Sequence, residues 1–299
     1  MLPTADELPE VLLDLGVPHE DINALVALRG RLWADPDARR LLDRCVDALV
    51  RDPGTVRGAR FPVLPEACGE LGRCFFVFVC VAAREHVRAF HRDRGIPDDV
   101  SRRTLADLGR HLAVHRRARG TRGLVEPGWL GLHFRGELYQ LGRLQFQRAV
   151  LGGRMGGATA AAGHPAGPGD PCLNLHITDF QGPLTPEACD RSLGLAREFF
   201  ARHFPEDRYE TAVCHSWLLD PQLRHRLPAD SNIVRFQERF RPADGYGTEP
   251  DDTGPVAFVF GDGNLPVAEL PRRTALERAV GDHLRAGGHW YGGHGWFPL

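Results

Sequence analysis

Hydrophobic and polar positions divide the chain into a helical first part and a mixed second part. Up to about residue 120, apolar residues recur three and four positions apart, which is typical of amphipathic helices. The helices predicted from this spacing cover residues 5–16, 19–33, 35–52, 65–94 and 96–120. The fourth contains the run "CFFVFVCVAA", which is shorter than the about 20 apolar residues of a membrane span, so it is predicted to be a buried helical segment.

In the second part, strands alternate with helices. "LHFRGELYQLGRLQFQRAV" alternates like β-structure, whereas the glycine- and proline-rich residues 152–171 predict a loop. The segments that follow predict a strand at "CLNLHIT", a helix from Pro186 to His203, a strand at "YETAVCHSWLL", short helices in "DPQLRHRL" and "SNIVRFQERF", a buried strand at "GPVAFVFG", a helix at "RRTALERAVGDHLRAGG" and a last strand in "HWYGGHGWFPL". The predicted fold class is α+β, with a helical N-terminal domain at residues 1–128 and a mixed-sheet α/β domain at residues 129–299.

Composition narrows the class of protein. Of the 299 residues, 42% are hydrophobic and 25% charged, as in a globular soluble protein. The net charge of −2 provides no basic field for nucleic acid. The chain contains no lysine, so Schiff-base and P-loop lysine chemistry are excluded.

The cysteines and the known motifs exclude further classes. The number of cysteines, seven, is odd, and their spacing matches no zinc pattern. Together with an acidic N-terminus that lacks a signal-peptide pattern, they predict a reduced, cytoplasmic protein. Dinucleotide fingerprints, Walker motifs and G-x-S-x-G are absent. We therefore expect no metal, no permanently bound cofactor, and neither a nucleic-acid nor a membrane partner.

One polar strand face is the leading candidate for chemistry. In "CLNLHIT", alternation places Asn174, His176 and Thr178 on one face. A polar face in a covered sheet costs free energy unless it is hydrogen-bonded or solvated. His176 could act as a general base, since imidazole titrates near neutral pH, or it could be a hydrogen-bonded core histidine.

The strand "VCHSWL" offers two alternatives. His215 shares a face with Trp217, and Cys214 shares the other face with Ser216. His215 could be a second base, and Cys214 could be a nucleophile beside imidazole or merely a small buried hydrophobe. The sequence leaves open whether His176 lies next to the Cys214 row or the His215 row.

Several other residues are weaker candidates. Arg143 and Gln145 share a strand face in "GRLQF" and could bind a carboxylate or phosphate, or form a solvated edge. Asn232 could donate to an acyl oxygen or belong to a helix cap, and Tyr291 could be a general acid or lie in a surface loop. His111 and His115 have the spacing of a helical metal pair, but the surrounding arginines favour a solvated basic face.

The segments "GELYQLGRLQF", "LNLHI..F.GPLTPEACDRSL..AREFFARHFP", "CHSWLLDPQL" and "SNIVRFQERF" resemble a bacterial acyltransferase family. That family joins a helical N-acyltransferase domain to a GNAT-like C-terminal domain. The resemblance implies acyl transfer from a thioester donor, CoA or a carrier protein, to an amine or a similar nucleophile. It also implies that the donor lies where "CLNLHIT" and "AVCHSWL", as adjacent parallel strands, separate beside the helix from Pro186 to His203.

The turn before that helix departs from the GNAT pattern. GNAT enzymes carry [QR]-x-x-G-x-[GA] there, whereas this chain reads "DFQGPLTPEACD". Two prolines remove backbone donors, and Glu187 and Asp190 place negative charge in the first helical turns. If CoA binds, we expect arginines to supply the charge for its pyrophosphate.

Three hypotheses follow for the function. The first is a GNAT-like N-acyltransferase in which the acceptor attacks the thioester directly, assisted by His176 and by a backbone amide of "CLNLHIT" that polarises the carbonyl. The second is a non-catalytic protein that binds an acyl or pantetheine group. The third is a hydrolase that depends on Cys214. Thiol alkylation should abolish a cysteine hydrolase and spare direct transfer.

Overall fold

A computed structural model describes residues 2–56, 60–65, 68–124, 126–243 and 247–299. The chain separates into two compact units, Met1–Gln140 and Leu141–Leu299. The boundary predicted between residues 128 and 129 lies within a helix of the first unit, Pro127–Phe134.

The described residues of the first unit form seven helices. Their bounds are α1 Leu8–Asp14, α2 His19–Ala34, α3 Pro36–Val50, α4 Gly69–Asp93, α5 Asp98–Leu105, α6 Asp107–Arg119 and α7 Pro127–Phe134. Helix α3 begins at a side-chain cap, because the Asp35 carboxylate accepts hydrogen bonds from the backbone N–H groups of Asp37 and Ala38. Residues 66–67, which belong to the predicted fourth helix, lie outside the described residues.

Helix α4 forms the centre of this unit. Its run from Cys74 to Ala83 is buried throughout, and α2, α3, α5 and α7 pack against it. A helix that is covered on every side needs no polar face, which explains its uniform hydrophobicity. Within the described residues, no helix combines the length and apolar character that a membrane crossing requires.

Two predictions for the first unit were wrong in detail. Residues 96–120 form two helices, because the turn after α1 packs at their junction, where the Gly109 N–H donates to the Leu15 carbonyl at 3.1 Å. His115 is buried and not part of a solvated face, since its Nδ1 lies 2.9 Å from the Thr121 carbonyl oxygen.

The second part of the chain contains a mixed sheet, whose first strand begins in the last residues of the first unit. Its described strands are β1 Leu138–Leu141, β2 Leu144–Val150, β3 Pro171–Ile177, β4 Thr211–Ser216, β5 Arg241–Pro242 and β6 Gly293–Pro298, in the spatial order β1-β2-β3-β4-β6-β5. Its described helices are α8 Gly153–Ala161, α9 Pro186–His203, α10 Asn232–Gln237, α11 Thr253–Phe260 and α12 Ala275–Arg285. Strand β3 pairs with β2 and β4 with β6 in antiparallel fashion, whereas β3 and β4 are parallel.

The predicted crossover is confirmed. Strands β3 and β4 are adjacent and parallel, and α9 connects them over the predicted Pro186–His203. A parallel connection needs a helix-length segment to return to the same edge of the sheet. The helix begins where the Thr185 hydroxyl accepts a hydrogen bond from the Ala188 N–H.

Three assignments in the second unit were wrong. "GPVAFVFG" forms α11 and not a buried strand, since a short apolar run fits either structure and only Pro255 and Val256 of this helix are buried. The predicted loop at 152–171 contains α8, whose Met155 packs in a small apolar cluster with Trp296. Strand β4 ends at Ser216, so Trp217 lies in a 3₁₀ turn.

Candidate active site

The site begins where β3 and β4 separate. Their parallel register covers Leu173 with Ala212 and Asn174 with Val213. Both strands then continue three residues further, β3 remaining paired with β2 and β4 with β6. A cleft therefore opens between the carboxyl ends of two neighbouring parallel strands, at the position predicted for the donor.

Register determines which side chains share the cleft face. Gln147 lies opposite Asn174, and Asn174 lies opposite Val213. Because alternate residues of a strand point to the same side, His176 and His215 lie on one face and Cys214 lies on the other. His176 therefore lies next to the His215 row and not the Cys214 row, a choice that the sequence left open. Helix α9 packs on the opposite face, where the Arg148 guanidinium carbon lies 4.0 Å from the ring centroid of Phe204.

Carboxamide side chains hold His176 in place. Its Nε2 lies 3.0 Å from the Gln147 Oε1, to which the Asn174 Nδ2 also donates at 3.5 Å. An amide oxygen only accepts hydrogen bonds, so Nε2 carries the proton and Nδ1 is the basic nitrogen of the neutral ring. The arrangement fixes both the orientation of the imidazole and its tautomer.

A pair of imidazoles lies on the same face as His176. His215 and His294 are direct cross-strand neighbours on β4 and β6, and their Nδ1 atoms are in hydrogen-bond contact. Desolvation lowers the pKa of His215, and desolvation, followed by the neighbouring His215 and Arg154, lowers the pKa of His294 to about 4. Both rings are therefore neutral near pH 7.

Arginines lie at the turn before α9. The Arg143 Nε donates to the Gly182 carbonyl at 2.8 Å. A cavity of about 370 Å³ opens here, lined among others by Arg143, Gln181, Thr185 and Arg191. Within the described residues, the buried Nη1 of Arg143 has no hydrogen-bond partner. The cavity therefore presents guanidinium groups that suit an anion.

The backbone that carries Arg143 is fixed against α9. The Ser192 hydroxyl accepts a hydrogen bond from the Arg143 N–H at 2.8 Å and donates to the Ala188 carbonyl. Gly142 allows this approach, because its φ is +69° and an added Cβ would lie 2.7 Å from the Ser192 Oγ. The negative charge of Asp190 in the first turns of α9 is compensated by Arg239, which forms an ion pair with it at 2.5 Å.

Comparison with protein families gives two matches that together cover almost the whole chain. Residues 6–136 match the N-acyltransferase N-terminal domain, and residues 138–297 match the GNAT-like C-terminal domain. The chain belongs to this acyltransferase family. Its fold, a helical region followed by a mixed sheet with helices, is the one that the sequence predicted.

Solved structures support the same assignment. A mutant acyltransferase in complex with octanoyl-CoA superposes with a TM-score of 0.90, at 40% identity, over 100% of this chain and 90% of that chain. An acyltransferase in complex with decanoyl-CoA and teicoplanin gives a TM-score of 0.87 with the same identity and coverage. Comparison with curated proteins yields no match. This chain is therefore an acyltransferase, an enzyme that transfers an acyl group from a thioester.

Cys214 does not fit the role of a catalytic nucleophile, which the sequence left as one alternative. Its side chain is 1% exposed, and burial raises the pKa of its thiol to about 12. It also lies on the face opposite His176 and His215. A protonated, enclosed thiol is a poor nucleophile, so the structure gives no support to a cysteine hydrolase.

The other predicted residues fall into different environments. Gln145 lies opposite His176 and is fully buried, whereas Arg143 precedes β2 and reaches the turn, so the two do not act as one pair. Thr178 follows β3 with its hydroxyl buried, and this oxygen has no hydrogen-bond partner in the described part of the chain. Both Gln145 and Thr178 remain candidates for substrate contacts.

Four other predicted residues take part in turns, helix starts or side-chain packing. Ser216 accepts a hydrogen bond from the Leu218 N–H, and Trp217 packs against Trp290 at 6.4 Å between ring centroids. Asn232 is the first residue of α10, which Ser231 caps. The Tyr291 N–H donates to Asp220, a residue that also caps the 3₁₀ turn after it.

The sequence missed Gln147 and His294. The signal for Gln147 was its alternation with Gln145 in "LQFQ", which would place both amides on one strand face. His294 stands in the glycine-rich tail, and only the register of β6 brings it to His215. Among the described residues, no group of three or more His, Cys, Asp or Glu side chains forms a metal site.

Proposed function

We propose that this acyltransferase uses acyl-CoA as its donor and transfers an acyl group of octanoyl to decanoyl size to an amine of a teicoplanin-like acceptor. Acyltransferases 40% identical to this chain over its whole length bind these ligands. The observation that carries the proposal is the cleft between β3 and β4, with one polar face and an arginine-lined cavity at the adjoining turn.

The donor lies along the cleft. Where two parallel strands separate, the backbone N–H and C=O groups on their facing edges no longer form hydrogen bonds with each other. These groups can then pair with the amides of a pantetheine arm. The arm would run from the turn before α9 toward the polar face that carries His176. This placement brings the thioester to the polar face, next to the imidazole of His176.

The CoA phosphates bind at the turn. Arg143 and Arg191 line the cavity there, and the buried Nη1 of Arg143 offers a hydrogen bond to an anion. Guanidinium groups bind phosphate with charge-assisted hydrogen bonds, which replace the backbone donors that Pro183 and Pro186 remove. The N-terminus of α9 adds a favourable dipole.

His176 acts as the general base. The amine nitrogen attacks the thioester carbonyl carbon directly, and its proton passes to the Nδ1 of His176. The carbon–sulfur bond then breaks, and CoA leaves as a thiolate that takes up a proton. A backbone amide of β3 polarises the carbonyl, with the buried Thr178 hydroxyl as a second donor. No acyl-enzyme forms.

The test is a direct assay with decanoyl-CoA and teicoplanin that has lost its acyl group. We expect CoA release that depends on the acceptor, together with a product whose mass has increased by one acyl group. Decanoyl-pantetheine serves as the matched donor, since it retains the thioester and lacks the phosphates. CoA release that is unaffected by the acceptor would indicate a thioesterase and would overturn the proposal.

A further inference from the structure

The pair of His215 and His294 has no role in the transfer just described. It lies at the carboxyl end of β4, beyond the last residue that pairs with β3, and on the same face as His176. Each ring projects from a paired strand position, so the geometry is set by the sheet. A neutral imidazole pair joined through Nδ1 atoms must contain one protonated and one unprotonated Nδ1. The pair therefore has one Nε2 that can accept a proton and one Nε2 that can release it.

His294 also lines a separate cavity. This cavity, of about 310 Å³, is bounded among others by Leu219, Arg224, Glu238 and Phe240. The Glu238 side chain is 47% exposed, so the cavity offers a carboxylate that is in contact with solvent. The imidazole pair thus extends from the polar face near the cleft to a second opening.

An amine acceptor creates a need for such a path. Alkyl amines are largely ammonium ions at neutral pH, as the ordinary pKa of lysine, about 10.4, illustrates. An ammonium ion must lose one proton before its nitrogen can attack. A second proton leaves during the transfer and is taken by His176. The amine therefore loses two protons per turnover and the general base takes only one of them, so a second group has to take the other.

We propose that His215 and His294 form a proton relay that removes the first proton of the acceptor ammonium. The ammonium N–H bond breaks and its proton binds the Nε2 of His215. The Nδ1 proton of His215 moves to the Nδ1 of His294, and the Nε2 proton of His294 passes into the cavity that Glu238 lines. The reverse movement resets both tautomers and delivers a proton through His215 to the CoA thiolate. His176 then releases its proton to solvent, so the cycle as a whole releases one proton.

The charges around the pair favour this role. Arg154 acts on His294, His176 lies on the neighbouring strand, and Arg224 and Glu238 line the cavity. Desolvation lowers the pKa of both rings, so the pair rests in the uncharged state that can accept a proton. The inference rests on the proposed function, because only an amine acceptor supplies the ammonium proton.

The pH profile of kcat tests the relay. In His294→Gln, we expect a loss of about tenfold or more near pH 7 that shrinks toward the wild-type rate as the acceptor amine becomes neutral at higher pH. His225→Gln, at an exposed histidine outside the site, is the matched control and should follow the wild type at every pH. Added imidazole should restore part of the activity of His294→Ala, whose missing ring leaves space beside the cavity. A His294→Gln profile parallel to that of the wild type would overturn the relay.

A second measurement does not depend on turnover or on a variant that folds. Nitrogen-15 NMR of the wild-type histidines should show one protonated and one unprotonated Nδ1 in the pair near pH 7. Two unprotonated Nδ1 atoms would overturn the relay. If the wild-type enzyme acylates no acceptor at any pH, the proposed function fails, and the NMR result still decides how the two rings share the proton.

Discussion

Replacing His176 by Gln should separate the chemical role of this side chain from its structural role. The glutamine amide can donate to Gln147 as the imidazole does at 3.0 Å, so the variant keeps one hydrogen bond on this strand pair. A hydrogen bond contributes about 1 kcal/mol to stability, so the melting temperature should change by only a few degrees. Loss of a general base lowers the rate by roughly 10²–10⁴, which corresponds to about 2.7–5.5 kcal/mol in the barrier.

The assay follows CoA release from decanoyl-CoA in the presence of the acceptor, with calorimetry of CoA binding on the same samples. We expect kcat to fall by at least a hundredfold while CoA affinity stays unchanged. A His176→Gln enzyme with nearly wild-type kcat would refute His176 as the base. A variant that no longer melts cooperatively would refute the reasoning in a different way, by showing that the imidazole is needed to hold the sheet.

Three further predictions follow from the same structure. Cys214→Ala should keep its activity in the CoA-release assay, because the thiol is buried on the other face of the sheet. A hundredfold loss would instead support the hypothesis that Cys214 is the nucleophile. Arg143→Gln should weaken CoA binding in calorimetry by about tenfold and leave pantetheine binding unchanged, whereas equal losses would place the arginine away from the phosphates. Burial lowers the pKa of His91 from 6.5 to about 4, so stability present above pH 6.5 is lost as pH falls toward 4, by about 1.4 kcal/mol per pH unit. Urea titrations at pH 7 and pH 5 should show a larger loss in the wild type than in His91→Gln, because the lowered pKa values of His133 and His294 contribute to both proteins alike.

The sequence indicates the candidate site most clearly where the periodicity is unambiguous. Asn174, His176 and Thr178 interrupt a strand that would otherwise be apolar, and the crossover of helix length after them requires a parallel neighbour. Both signals are local, so they could be recognised without knowledge of the tertiary fold. Of the two alternatives given for Asn232, the helix cap agrees with the structure, in which Ser231 caps the helix that begins at Asn232.

The remaining parts of the site depend on register between distant segments. His294 reaches His215 only because β6 pairs with β4, and nothing in a glycine-rich tail specifies that register. Trp217 was assigned to a strand face because alternation continues past Ser216, where the backbone turns instead. The apolar run of α11 was assigned to a strand because eight residues are too few to distinguish the two periods.

Helix α4 has a consequence for the synthesis of the protein. Its apolar surface is complete once Asp93 has been added, but α5 and α7, two of the helices that cover it, end only at Leu105 and Phe134. At about 5–20 residues per second, the ribosome needs roughly 2–8 seconds to supply residues 94–134. During that interval the run from Cys74 to Ala83 lacks part of its cover and is exposed to chaperones and to aggregation. The helices that pack most against α4 all precede Gln140, so this exposure can end before β3 has been translated.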